Sequence, residues 1–64
     1  MRDYSLFIED DRYTVPTLVI VTVASDERAN EIALDHLNRS DHHLSVEVRT
    51  LAGIVSNIRR PQSS

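Results

Sequence analysis

The sequence predicts an α+β fold of ββαββ order, in which a mostly antiparallel four-stranded sheet carries one helix packed on one face. Three features predict it. The hydrophobic rhythm of residues 17–41 changes at Ser25: before it nearly every residue is apolar or β-branched, and after it apolar residues recur three and four apart. Period-two alternation marks a strand at residues 4–8 and another at residues 44–49. Turn chemistry at Glu9-Asp10-Asp11-Arg12 and at Ala52-Gly53 divides each flank of the helix into a strand pair.

In the first strand Tyr4, Leu6 and Ile8 share one side and Phe7 takes the other. The second strand runs from about Tyr13 or Val15 to Ala24, with Pro16 at its beginning, on an edge or at a bulge, because proline has no amide hydrogen to donate. Val15, Val19, Val21 and Val23 have one parity and Leu18, Ile20 and Ala24 the other. A strand half in water would alternate with polar residues, so this one reads as covered on both faces. Ser25 or Asp26 caps the helix, and Asp26 and Glu27 suit its positive end. Ala29, Ile32, Ala33 and Leu37 form its apolar stripe, widened by Leu34, while Asp35 and Arg39 are spaced to pair across a turn. In the third strand Leu44, Val46 and Val48 point inward, and Ser45, Glu47 and Arg49 outward. Residues 51–60 admit two readings. Leu51, Ile54, Val55 and Ile58 match a helical stripe, yet Ala52-Gly53 suits a hairpin and β-branched residues favour a strand, expected at residues 54–59. Residues 1–60 make one domain, and residues 61–64, beginning with Pro61, are expected to be a disordered tail.

Sixty-four residues lie near the lower limit for independent folding. Chains this short usually add disulfides, a metal or self-association to a thin core. Cysteine is absent, which removes disulfides, thiolate ligands and thiol nucleophiles together and fits a reducing cytosol. The longest apolar run, residues 18–24, is far below the roughly 20 residues of a membrane helix, and an acidic segment precedes it where a signal peptide would start basic. A soluble, cytoplasmic protein is expected. The net charge of −3 offers nucleic acid no general attraction.

YSLFIEDD near the start, ASDERANEIALDHL at the helix and SVEVRTLAGIVSNI at the close resemble a loose set of small bacterial ββαββ proteins grouped as domains of unknown function. That resemblance implies the fold and no activity. YSLFIEDDRYTV and SDERANEIALDHL are also similar to HicB-type antitoxins, whose usual Pro-Asp-Leu-Pro-Gly turn before the helix is replaced here by Val19-Ile20-Val21-Thr22-Val23.

The candidate sites each meet a plainer reading. His36, Asp41, His42 and His43 carry metal-ligating groups, but adjacent strand residues point to opposite sides and no His-Glu-x-x-His helix is present. Glu9-Asp10-Asp11 lacks the spaced oxygens of a calcium loop and reads as a solvated turn. Ser5, Ser25, Ser40, Ser45 and Ser56 lie in no nucleophile-elbow motif, and a single glycine rules out a phosphate-cradling loop. No catalytic, cofactor-binding or metal residue is therefore assigned, and no enzyme activity is expected. Arg49, Arg59 and Arg60 form a small basic strip in the expected hairpin, which supplies the alternative reading of a nucleic-acid-associated, antitoxin-like regulator.

One helix covers one sheet face. Phe7, one parity of the second strand, Val55 and part of Leu51 are expected on the other, in the kind of apolar patch that marks an interaction surface. The leading expectation is a non-catalytic interaction or regulatory module that forms a homodimer through the helix-free face or an edge strand. In the competing arrangement, residues 51–58 fold back as a helix and cover that face themselves.

Overall fold

The computed structural model describes residues 1–60, so the tail expected at 61–64 lies outside the described residues. The order is β1 (Arg2–Asp10), β2 (Thr17–Val23), α1 (Asp26–Asn38), β3 (His43–Thr50) and β4 (Gly53–Arg59). One open sheet holds all four strands in the order β2-β1-β3-β4, and every neighbouring pair is antiparallel. The helix thus carries the chain from β2 past β1 to the far side, which settles the strand order that periodicity leaves open. Residues 53–59 are strand, not helix. The turn into β4 passes through Gly53 at φ +133°, a conformation side-chain-bearing residues rarely adopt.

The core forms between α1 and one sheet face. Tyr4, Leu6 and Ile8 of β1 and Val46 and Val48 of β3 meet Ala29, Ala33 and Leu37 of the helix. Small alanines facing the two central strands let the helix axis approach closely, so larger sheet side chains fill the gap. Val19, Val21, Val23, Ile32, Val55 and Ile58 pack around this centre and are only partly buried. Val55 therefore belongs to the margin of the core and not to the open face where the sequence placed it. It is the extra residue of an irregularity in the β3–β4 pairing, where Val48 faces Ser56 and Arg49 faces Ile54.

Local chemistry fixes both helix ends. The Ser25 hydroxyl accepts from the Arg28 amide, and Asp26 accepts from the buried Tyr4 hydroxyl at 2.5 Å. That bond, and secondarily burial, raises the Tyr4 pKa. Asp35 and Arg39 pair at 2.8 Å as their spacing predicts.

Alternation fails at the start of β3. A bulge lies opposite Glu9 and Asp10, so that Glu9 faces Ser45 while Asp10 faces His43. Leu44, expected inward, is the extra residue and stands 42% exposed, and Ser45, expected to meet water, is buried. The bulge turns the His43 side chain toward the core layer, the re-aiming such features commonly produce.

Two substitutions separate core from margin. Leu6→Ala should cost about 2–5 kcal/mol in urea unfolding, enough to unfold much of so small a domain. Leu34→Ala, on a helix residue 48% exposed, should stay within about 0.5 kcal/mol.

Candidate functional site: the helix-free sheet face

The strand registers lay out the open face in rows. Ile20, Ser5, Arg49 and Ile54 form one, and Leu18, Phe7, Glu47 and Asn57 the next. A further row holds Glu9, Ser45 and Arg59. Its apolar members crowd toward β2, where Leu18 and Ile20 are 54% and 59% exposed. Phe7 is half-buried beside them. The sequence reading of β2 as dry on both faces is thus corrected, because one face looks into water. At one end of the sheet an open concavity of about 830 Å³ is lined in part by Ser5, Phe7, Ile20, Arg49 and Leu51.

Chemically this face is quiet. The Arg49 guanidinium lies 5.3 Å from the centre of the Phe7 ring and donates to Glu47 at 2.6 Å. Ser45 donates to Glu9 at 3.2 Å, and Thr22 to Asp3 at 2.7 Å. Its charged groups are therefore mostly paired on the spot, leaving shape and apolar area as what the face offers a partner.

The residues that suggested metal or acid–base chemistry gather elsewhere, at the carboxyl end of α1. Asp10, expected in a solvated turn, has a side chain only 2% exposed. Its carboxylate accepts from the Arg12 amide and from both Nε and Nη2 of that residue, at 2.8, 3.0 and 2.7 Å. The Arg12 hydrogen bonds outweigh desolvation and hold the Asp10 pKa down at about 2. His43 Nδ1 donates to the His36 carbonyl at 2.6 Å, and its Nε2 lies 3.5 Å from Asp10. His42 donates to Asp11 at 2.8 Å. Burial lowers the His36 pKa and favours its neutral form. Among the described residues no three His, Asp or Glu side chains converge on a point that could hold a metal ion.

The three arginines of the expected basic strip are separated. Arg59 stands opposite Ser45, and Arg49 is four positions further along β3, ~13 Å away at strand rise, with Glu47 between them on the same face. Arg60 points into the other layer. It donates to the carbonyls of His43, Leu37 and Ser40 at 3.0, 2.5 and 2.8 Å, closing the last turn of the helix. Sequence offered no sign of this role, since Arg59 and Arg60 are adjacent and chemically identical.

No known family, curated protein or solved structure matches the chain. Among the described residues no helix is long and apolar enough to cross a membrane.

Two measurements test the helix-end cluster. Arg60→Ala removes charged donors from three backbone carbonyls and should cost about 1–3 kcal/mol, whereas Arg59→Ala should change stability by less than about 0.5 kcal/mol. For Asp10 the folded pKa lies below the unfolded one, so its contribution is complete above the ordinary carboxylate range of ~4. It is lost as the pH falls toward about 2. The urea midpoint should therefore drop across that window, and Asp10→Asn should start lower at neutral pH and flatten that part of the drop.

Proposed function

We propose that this protein is a non-catalytic interaction module that works as a homodimer, using the β2 side of the helix-free face. The observation that carries the reading is the exposure of Leu18 and Ile20, beside half-buried Phe7, on a sheet face that the single helix does not reach. Burying apolar surface contributes about 25 cal/mol per Å², so a patch on the order of 400 Å² supplies roughly 10 kcal/mol before the costs of association. A domain of this size has a thin core, and that contribution is comparable to its whole stability. Self-association is the common outcome for such a surface, and two-fold pairs are the commonest form. A cysteine-free chain suits a reducing cytosol as its place of work.

The nucleic-acid alternative through Arg49, Arg59 and Arg60 has less in its favour. Arg60 is engaged with helix carbonyls, Arg49 is paired with Glu47, and the chain carries a net charge of −3.

Light scattering after size exclusion at micromolar concentration should give twice the 7.3 kDa chain mass. Because apolar contact drives the pairing, that mass should persist in high salt. A single-chain mass throughout the micromolar range would end this reading.

A further inference from the structure

We infer, building on the homodimer reading, that the partner pairs edge to edge: β2 of one subunit docks antiparallel on β2 of a second copy, about a two-fold axis at Ile20. Among the described residues the sheet order leaves β2 with a neighbour on one side only. One row of its amide and carbonyl groups therefore faces outward, and such a row is a template for another strand. Natural edges are usually blunted by charge, proline or a bulge. Thr17–Val23, reading TLVIVTV, contains no charged residue and no proline, and its pairing with β1 runs without a shift.

The two faces of β2 lead to the same conclusion. The helix packs chiefly over β3 and no more over β1 than over β2. Yet β1, with a strand on each side, buries Tyr4, Leu6 and Ile8, while β2 leaves Val19, Val21 and Val23 half-buried on the helix side and Leu18 and Ile20 exposed on the other. Only a neighbour alongside the strand completes both sides at once.

A second copy fits because the strand is complementary to itself. Ile20 is the central residue of Thr17–Val23. An axis there sets Ile20 beside Ile20 of the partner subunit, Val19 beside Val21 of the partner subunit, and Leu18 beside Thr22 of the partner subunit. No charge opposes another. Pro16 at one end and the helix cap at Ser25 at the other stop the pairing, so this register alone matches all seven residues. An axis normal to the sheet leaves both helices on one side and joins the two open faces on the other.

The absence of native cysteine makes the test direct. A residue on the axis has its Cα about 4.5–5.5 Å from its copy, within the span of a disulfide. Leu18 would lie ~13 Å from its own copy. Under mild oxidation Ile20→Cys should be converted mostly to covalent dimer, whereas Leu18→Cys and Leu51→Cys should form little. Ile20→Lys sets like charges face to face and should weaken dimerisation at least about tenfold. Position 20 is exposed, and circular dichroism should confirm that both Ile20 variants fold. A dimer that crosslinks best at Leu51, or at no position of β2, would overturn the edge pairing and leave the homodimer standing. Crosslinking centred on Val19 or Val21 would overturn the Ile20 register. A monomer at every concentration would remove both.

Discussion

A single short helix has to cover a sheet wider than itself, and the rest of the structure follows from how it does so. Thirteen residues make a rod about 20 Å long and 10–12 Å across, whereas four strands at about 4.8 Å spacing need more width than that once their outer side chains are counted. The rod settles chiefly over β3, and its small Ala29 and Ala33 share one buried cluster with Leu6 of β1 and Val48 of β3. The two outer strands receive what remains. β4 gains a polar tie, from the Ser56 hydroxyl to Asn30 on the helix at 2.6 Å. β2 keeps its three valines only half covered on the helix side. The unequal cover directs attention to β2 and away from the charged residues.

Those charged residues are occupied in holding backbone. The last turn of α1 exposes carbonyls that have no partner within the helix. His43 and Arg60 supply donors to four carbonyls at or beside that end, including those of His36, Leu37 and Ser40. Positive charge there also complements the helix dipole. Because His43 Nδ1 donates to a carbonyl, that nitrogen carries a hydrogen, and Nε2 lies on the side of Asp10. Arg12 neutralises Asp10 in turn. The groups that looked like metal ligands or paired carboxylates thus form a clasp that joins the first hairpin, the helix end and the last strand.

Much of this fold was legible in the sequence because it rests on local physics. The switch in period at Ser25, the acidic first turn and the Ala52-Gly53 turn each specify a conformation without help from distant residues. Strand order was not legible, since a helix returning to either side of β1 uses the same local signals. Nor was the exposure of Leu44, the extra residue of a bulge that leaves the LSVEVR alternation intact, or the burial of Ser45, which keeps its expected face and is covered there beside Glu9. The same limit applied to Asp10 and Arg60. A turn aspartate and a strand-end arginine resemble surface residues until tertiary placement brings a guanidinium onto one and helix carbonyls under the other. On the open face, parity identified Phe7 and one side of β2 without saying which; the pairing with β1 assigns Leu18 and Ile20 to it, and Val55 was misplaced because an extra residue in β4 shifts the phase.

The two edges of the sheet differ in how they are finished, and the difference governs how far assembly would go. β4 carries an irregular register at Val55 and a charged Arg59. Such features oppose the approach of another strand. β2 has none of them over seven residues. If both edges were bare, each copy could add a neighbour on either side, and pairing would continue into a fibre. With one bare edge, pairing β2 to β2 consumes the adhesive surface of both copies. An eight-stranded sheet then ends in two β4 edges that resist further addition. In the proposed dimer, the asymmetry between β2 and β4 would turn an exposed apolar strand from an aggregation hazard into a contact that closes at two chains.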